Sequence, residues 1–338
     1  MKTIIDKRCP FYITILFTVI TFLLPAIAAR ADNLEKSLRG ETFTDPSKTF
    51  PMSEEWIKKP IKYQKDAENA DISIVMDQDI YHTLLPLIQK YGRDNNLKIK
   101  VKEGTCGITA GMLGAKTVDI GGFCCPASKE DRLPGLRFHT LGIVGKAFFI
   151  HPSNPVESIT SIQLREIYRG RIYRWSEVNG PNWTIKTIGR LHCQARPGHW
   201  RQLLDKDKEF SPRLNEVGSI PDMISQVVFN KEAIGWEVLT MVEHYRTLGR
   251  VKILKIDGYG PNDSKALSSL KYSFYRTYNI TTWEGKGVEN ARAGKLAEHL
   301  IKEFEKLDPN RVGFVSQSHL RKKGWRFKGD ELVGEPLK

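Results

Sequence analysis

Short apolar runs and amphipathic segments alternate along the chain from residue 71 onward. The apolar runs predict strands, and the segments with apolar residues at helical spacing predict helices. Because a strand is followed by a helix and then by another strand, the pattern predicts a parallel sheet with helices on its faces, an α/β fold. Strands are predicted at 71–76, 98–103, 118–123, 147–151, 185–189, 233–239, 251–257 and 272–281. Helices are predicted at 80–92, 107–116, 161–170, 198–208, 220–230 and 290–307.

Three residues refine the helix boundaries. Thr160 precedes the helix predicted at 161–170 and is a favourable N-cap, while Gly170 is a favourable stop. Pro86 falls inside the helix predicted at 80–92, where it removes one backbone donor and predicts a kink.

The first 31 residues have the organisation of a secretory signal. Basic residues come first, an apolar run covers 11–29, and small residues offer cleavage positions after Ala28 and Ala31. Residues 1–31 are therefore predicted to be a cleaved signal peptide that directs the protein to the periplasm. The alternative is an uncleaved membrane anchor, since the apolar run approaches the ~20 residues that a spanning helix needs.

Composition limits the partners of this chain. It has 52 Lys and Arg against 39 Asp and Glu, a formal net charge of +13. A positive surface suits anionic ligands or an acidic partner, but the basic residues are scattered and the predicted export argues against nucleic acid. Residues 32–70 are polar and contain Pro46, Pro51 and Pro60, which predicts an N-terminal extension with little regular structure.

Four cysteines lie in loops that follow predicted strands: Cys106, Cys124, Cys125 and Cys193. In a two-lobed α/β protein such loops meet at one ligand cleft. A cleft lined with sulfur selects a soft, thiol-seeking ligand over a hard oxyanion. The alternative is a structural role in disulfides, but the adjacent pair, with Cα atoms about 3.8 Å apart, is linked only with strain. A disulfide would therefore join one of that pair to Cys106 or Cys193.

A family resemblance is carried mainly by residues 147–180. This segment reads AFFIHPSNPVESITSIQLREIYRGRIYRWSEVNG. It resembles the crossover strand, the Asn-Pro turn, the following helix and the Trp-Ser-Glu-Val element of type II periplasmic binding proteins of the phosphate-binding kind. The strands within KTVDIGGF and YSFYRTYNI resemble that family as well, and the resemblance covers about 70–330.

The resemblance implies two lobes, each a mixed sheet flanked by helices, joined by crossover strands. Residues 71–145 plus 250–338 would form lobe 1 and residues 146–249 would form lobe 2, with the ligand between them. It also implies that the lobes close on the ligand by a hinge motion and that the protein binds a solute instead of catalysing a reaction. No cofactor is expected.

The four loops that bind the oxyanion in that family differ in this chain. The first contains two carboxylates, Asp77 and Asp79, which would repel phosphate. Both carboxylates would accept hydrogen bonds from hydroxyl groups of the ligand, or they would cap the following helix. The other three loops contain cysteine near the positions where hydroxyls are expected. The loops read Asp77-Gln78-Asp79-Ile80-Tyr81, Gly104-Thr105-Cys106-Gly107-Ile108-Thr109, Phe123-Cys124-Cys125-Pro126 and Gly189-Arg190-Leu191-His192-Cys193-Gln194-Ala195-Arg196-Pro197-Gly198-His199.

The Gly-Thr-Cys-Gly loop resembles that of the periplasmic arsenite-binding sensor proteins encoded with arsenite oxidases. This resemblance implies that Cys106, flanked by Thr105 and Gly107, is the first ligand of arsenite. Cys106 also immediately precedes the helix predicted at 107–116, where the helix dipole favours the thiolate. Cys193 would contribute from the opposite lobe, and the adjacent cysteines would supply a further ligand or a disulfide. The implied partner is the periplasmic domain of a membrane histidine kinase that controls arsenite oxidation.

Two other interpretations stay open. In the first, Arg190 and Arg196 in the fourth loop would hold phosphate or a similar oxyanion, and the protein would be a substrate-binding protein that serves an ABC permease. The structural alternative for these two arginines is that they form ion pairs. His192 and His199 would make a Cys/His site for zinc or copper, although the cysteine spacing matches no common zinc pattern.

Overall fold

The computed structural model describes residues 39–307 and 313–337. The predicted signal peptide at 1–31 and the first residues of the predicted extension lie outside this part of the chain. Within the described ranges, no helix is both long enough and apolar enough to cross a membrane.

One long buried strand connects the two halves of the central sheet. This strand, β4 (Leu136–Ile150), is 15 residues long. Up to Gly145 it pairs with the antiparallel strand β11 (Tyr275–Trp283), and from Lys146 onward it pairs with β8 (Ala233–Val238). β4 is therefore a crossover strand of the kind that the family resemblance implies.

The other strands and the helices are arranged around β4. The remaining strands are β1 (Ile72–Asp77), β2 (Ile99–Gly104), β3 (Ile120–Phe123), β5 (Ser158–Ile159), β6 (Lys186–Gly189), β7 (Asn215–Glu216), β9 (Lys252–Ile253), β10 (Lys255–Ile256), β12 (Phe314–Ser316), β13 (Arg326–Lys328) and β14 (Glu331–Gly334). The helices are α1 (Glu54–Lys58), α2 (Gln78–Asp94), α3 (Cys106–Gly114), α4 (Ser161–Arg169), α5 (Ile220–Phe229), α6 (Leu239–His244), α7 (Ser264–Ser268), α8 (Ala291–Phe304) and α9 (Gln317–Lys322).

The central sheet is mixed. Its strand order is β2-β1-β3-β11-β4-β8-β6-β7, and β9 and β12 also pair with β4. β1 is parallel to β2 and β3, β6 is parallel to β8, and β11 is antiparallel to its neighbours. The predicted two-lobed α/β fold is confirmed.

The prediction of a helix at 198–208 is wrong. This segment begins with a single short 3-10 turn at His199–Gln202. Gly198 and His199 have φ values of +73° and +49°, which an α-helix does not accept. The carbonyl of His199 accepts a hydrogen bond from Nζ of the buried Lys146 at 2.5 Å, so a side chain satisfies the backbone here instead of a helical turn.

The strand predicted at 251–257 is divided into two short strands. β9 pairs with β4, whereas β10 pairs with β5, and the buried Leu254 lies between them. The helix predicted at 80–92 is present as α2 and continues through Pro86.

The N-terminal arm, residues 40–63, lies against the main body and contains only one short helix, α1. Nε1 of Trp56 donates to the carbonyl of Gly114 at 2.6 Å. Nζ of Lys116 donates in return to the carbonyls of Trp56 and Lys59, at 2.7 and 2.8 Å. The arm is thus attached to the end of α3, which begins with a cysteine.

The N-terminus of α4 is closed by a capping box. The backbone N of Gln163 donates to Oγ1 of Thr160 at 3.0 Å, and the backbone N of Thr160 donates to Oε1 of Gln163 at 2.8 Å. We expect Thr160→Ala to lower the free energy of unfolding by about 1 kcal/mol, because the backbone N of Gln163 loses its acceptor and the reciprocal pair is broken. Denaturant unfolding measures the difference. Thr49→Ala, at an exposed threonine of the arm, is the control, and an equal loss in both variants would contradict the capping role.

Candidate functional site

The four cysteines come together from three loops. Cys106 begins α3, Cys124 and Cys125 follow β3, and Cys193 follows β6. The Sγ atoms of Cys106 and Cys124 are 3.6 Å apart, and those of Cys124 and Cys125 are 3.7 Å apart. All four are free thiols. The structure therefore assembles the residues that the sequence singles out, without the disulfide considered as an alternative.

Polar contacts fix Cys106 at the N-terminus of α3. The backbone N of Ile108 donates to Oγ1 of Thr105 at 3.2 Å, so Thr105 is the N-cap. The backbone N of Cys106 donates to Oδ2 of Asp77 at 3.1 Å, which ties α3 to the end of β1. Gly107 follows in the exposed first turn. The sequence predicts this helix start one residue later, at Gly107.

Most of the thiol cluster is closed to solvent. Three cysteines have 0% exposure, and Cys193 is half-buried. The N-terminal arm packs three apolar side chains against the same core: Met52, Trp56 and Ile61. A ligand therefore reaches the three buried sulfur atoms only after the surrounding loops move apart.

The thiols differ in acidity. Hydrogen bonds from Cys106 and Cys125 to the sulfur of Cys193 lower the pKa of Cys193 to about 5. For Cys106, hydrogen bonds with Cys124 and Cys125 lower the pKa, but the bond to Cys193, burial and the nearby Asp77 together raise it to about 11. The hydrogen bonds within the cluster thus favour the thiolate at Cys193, whereas the pKa values of the other three thiols are raised.

This difference predicts a selective pH profile for alkylation. We expect the rate at which iodoacetamide modifies Cys193 to rise through about pH 5 and to level off by neutral pH, because the thiolate is the nucleophile. Peptide mass spectrometry at several pH values measures the rate. Cys106 in the same samples is the internal control, since its raised pKa and its burial keep it unreactive. A Cys193 profile centred near the ordinary thiol pKa would contradict the prediction.

A row of buried charges lies beside the thiols. Arg276 on β11 forms ion pairs with Asp79 and, at 3.0 Å, with Glu237 on β8. Glu237 also accepts a hydrogen bond from Arg190 at 3.1 Å. Nη1 of Arg276 lies 3.3 Å from Sγ of Cys124. Every charge in this row has an opposite partner, so none is an isolated buried charge, and the row links β11, β8 and the fourth loop.

The two carboxylates of the first loop have different roles. The backbone N of Asp79 donates to Oδ1 of Asp77 at 3.1 Å, so Asp77 caps α2. Asp79 does not cap the helix, because its carboxylate pairs with Arg276. Burial raises the pKa of Asp77 to about 7, which weakens the expected repulsion of phosphate at neutral pH.

The fourth loop supplies ion pairs and a pair of imidazoles. Nη2 of Arg196 is 2.6 Å from Oδ1 of Asp131, and both side chains are buried. The ring centroids of His192 and His199 are 4.7 Å apart. Burial, and then the charge of Arg190, lower the pKa of His192 to about 4, so its ring is neutral at pH 7. The ion-pair interpretation of Arg190 and Arg196 agrees with these contacts, and their ligand-binding role stays a prediction.

Several buried polar atoms near the cluster have no hydrogen-bond partner within the described part of the chain. Unpaired buried donors and acceptors cost free energy, and they are commonly satisfied by a ligand or by water. These atoms are Asp79 Oδ1, Arg190 Nε, Arg196 Nε, Arg276 Nε and both ring nitrogens of His199. A small polar ligand bound in this region would have these donors and acceptors available as hydrogen-bond partners.

Three residues of this region are not predicted from the sequence. Arg276 and Glu237 lie within predicted strands and Asp131 lies between predicted elements, so the sequence pattern gives none of them a role in the site. The available signal was a charge inside an otherwise apolar strand, since Arg276 and Glu237 interrupt YSFYRTYNI and AIGWEVL. A buried charge of this kind requires a partner, but the sequence does not name the partner.

The donor set suits a soft ion. The sulfur atoms of Cys106, Cys124 and Cys125 all lie within 4.8 Å of one another. Two sulfurs bound to one ion at about 2.3 Å each are separated by at most ~4.6 Å, and by about 3.8 Å at a tetrahedral angle. The observed separations of 3.6 and 3.7 Å are therefore compatible with a shared soft ion or metalloid.

Comparisons with known proteins give the family context. A family model described as a PBP superfamily domain matches residues 62–288. The chain is similar to the phosphate-binding protein PstS of Bacillus subtilis (strain 168), with 22% identity over 224 residues, 65% of this chain and 71% of the relative. It is also similar to the PstS protein of Staphylococcus saprophyticus, with 23% identity over 270 residues, 75% of this chain and 82% of the relative.

Two solved structures share the fold. One is an ABC-type phosphate transport receptor from Vibrio cholerae, with 18% identity and a TM-score of 0.55 over 72% of this chain and 99% of that chain. The other is a putative phosphate ABC transporter substrate-binding protein with bound phosphate from Clostridium perfringens, with 18% identity and a TM-score of 0.56 over 78% and 98% of the two chains. At this identity the likeness concerns the fold alone.

Proposed function

Since this chain belongs to the PBP superfamily, we propose that it is a periplasmic solute-binding protein that binds a small inorganic ligand between two lobes and catalyses no reaction. The names of the curated relatives, which are phosphate-binding proteins, support a ligand of oxyanion size. The apolar N-terminal run supports export. The buried row of charges and the unpaired polar atoms beside it support a binding region between the loops.

The proposed ligand is arsenite, and one observation carries this proposal. Three buried thiols lie within 4.8 Å of one another, two of their separations, 3.6 and 3.7 Å, match a shared soft centre, and a fourth, more acidic thiol is adjacent to them. Arsenous acid is neutral near pH 7, so its binding requires no free guanidinium to balance a negative charge on the ligand. The arginines Arg190, Arg196 and Arg276 already pair with carboxylates, which leaves the thiols as the strongest available ligands.

The second candidate ligand is phosphate or a similar oxyanion. The comparisons back this candidate better than arsenite, because the relatives named above are named for phosphate. The unpaired Nε atoms of Arg190, Arg196 and Arg276 also favour it, since each can still donate one hydrogen bond to an anion.

The partner follows from the ligand. An arsenite-binding protein of this kind would present its closed form to the periplasmic domain of a sensor histidine kinase. A phosphate-binding protein would present it to an ABC permease, and the relatives described as ABC transporter proteins favour that alternative. In both cases the signal is lobe closure.

Titration of the reduced protein with arsenite and with phosphate tests the ligand. Nε1 of Trp200 donates to the carbonyl of His192 at 3.0 Å, so tryptophan fluorescence is expected to report on the fourth loop. We expect saturable arsenite binding that is lost after alkylation of the thiols. Phosphate binding with no response to arsenite would overturn the arsenite proposal and support the oxyanion candidate.

A further inference from the structure

We propose that the first residues of the N-terminal arm, together with the ion pair between Arg196 and Asp131, form a latch that positions Cys193 against the other three cysteines. In this arrangement Thr44 and Asp131 are positioning residues for the thiol site. The inference rests on the proposed function only in assuming a ligand site that opens and closes, and it does not depend on which ligand is bound.

The arm contacts the loop that follows Cys193. The backbone N of Gly40 donates to the carbonyl of Arg201 at 2.8 Å, and the backbone N of Gly198 donates to the carbonyl of Glu41 at 3.2 Å. Phe43 packs against the apolar core that includes Trp200. Residues 40–43 are therefore held by the fourth loop.

The next residue of the arm contacts the opposite side of the site. Oγ1 of Thr44 donates to the carbonyl of Ala127 at 2.8 Å, two residues after Cys125. It also accepts from Nε of Arg132 at 2.9 Å, and Thr44 is 6% exposed. Five consecutive residues, 40–44, thus connect the loop of Cys193 to the loop of the adjacent cysteines.

The ion pair between Arg196 and Asp131 makes a second connection between these two loops. Arg196 lies three residues after Cys193 and its guanidinium is 2.6 Å from Asp131, which follows the adjacent cysteines. Oδ2 of Asp131 also accepts from the backbone N of Ser128 at 2.8 Å, so the carboxylate is fixed by its own loop. Because the pair is buried, opening the site must solvate both charges or leave them unpaired.

These connections explain how a cysteine with a left-handed backbone stays next to its partners. Cys193 has φ of +62°, a conformation that costs free energy for a residue with a side chain. The loop contains no regular helix that would hold it. The arm and the ion pair supply the tertiary contacts that hold this loop in the strained conformation.

The test is hydrogen exchange of the ligand-free full chain with Thr44→Val. Valine keeps the size of threonine but removes both hydrogen bonds of its hydroxyl. We expect the non-proline amides of 124–127 and 193–198 to exchange about tenfold faster, since a buried partner left unpaired shifts the opening equilibrium by about that factor. Thr49→Val, at an exposed position of the same arm, is the matched control and should leave exchange unchanged.

A second variant loosens the arm from its other end. A Cβ atom at Gly40 would lie 2.6 Å from Oδ1 of Asp205 and 3.1 Å from Cβ of Arg201, so Gly40→Val is expected to displace the start of the arm without changing the hydroxyl of Thr44. It keeps the inference testable if Thr44→Val does not fold. Faster exchange in both loops with Gly40→Val would support the latch.

The outcomes separate the latch from the ligand. Faster exchange in the arm variants, together with no arsenite binding by the unmodified protein, would support the latch and overturn the arsenite proposal. Arsenite binding by the unmodified protein, together with equal exchange in Gly40→Val, Thr44→Val and Thr49→Val, would overturn the latch alone.

Discussion

Replacing Cys106 with serine is expected to weaken arsenite binding at least about a hundredfold, or ~2.7 kcal/mol. A serine hydroxyl is a hard and weakly acidic donor, so it does not replace a thiolate on a soft centre. Cys106 is also the residue whose position is best defined, because its backbone N bonds to Asp77 and Thr105 caps its helix. Calorimetric titration of the reduced protein with arsenite measures the loss.

Thr109→Ser is the matched control for this variant. Thr109 is buried on the same helix, close to one turn beyond Cys106, and the change removes one methyl group without touching a sulfur atom. It should bind arsenite like the unmodified protein. Retained arsenite affinity in Cys106→Ser would contradict the ligand assignment, whereas loss in both variants would indicate a general disturbance of α3.

Replacing Arg276 with alanine is expected to lower the free energy of unfolding by about 3–5 kcal/mol, because it leaves two buried carboxylates without their common partner. Arg276 is 3% exposed, and its partners Asp79 and Glu237 are each 1% exposed. Arg190 would still neutralise part of the charge of Glu237, but among the residues that the structure describes Asp79 would have no remaining cation at ion-pair distance. Urea unfolding at pH 7 measures the change.

Arg137→Ala is the control for the buried arginine. Arg137 pairs with Glu284 on the surface, where both side chains are more than half exposed. Such an exposed pair contributes at most about 1 kcal/mol. A loss in Arg276→Ala no larger than the loss in Arg137→Ala would show that the buried row of charges does not hold the two halves of the sheet together.

Local patterns predict most elements of the fold, because their causes lie within a few residues. Thr160 and Gly170 delimit α4 as expected, since a hydroxyl N-cap and a left-handed glycine act on the adjacent backbone. The helix prediction for the segment 198–208 is wrong for the opposite reason. Its conformation depends on Lys146, a residue distant in sequence that bonds to its backbone.

The cysteines of the site can be predicted from the sequence, but the partners of its buried charged residues cannot. The loops after β2, β3 and β6 converge because strand ends meet in this fold, and the sequence shows which loops contain sulfur. Arg276 and Asp79 are 197 residues apart in the chain, and no local pattern links them. The pairing of Arg196 with Asp131 and the contact of Thr44 with Ala127 depend in the same way on tertiary structure alone.

The continuous β4 strand has a mechanical consequence. It changes partner between Gly145 and Lys146, and a Cβ atom at Gly145 would lie 2.0 Å from the carbonyl oxygen of Pro261. Since the strand is unbroken, the halves of the sheet cannot slide past each other along it. Relative movement of the halves is therefore expected as a change of twist at the point where β4 exchanges one hydrogen-bonded neighbour for another.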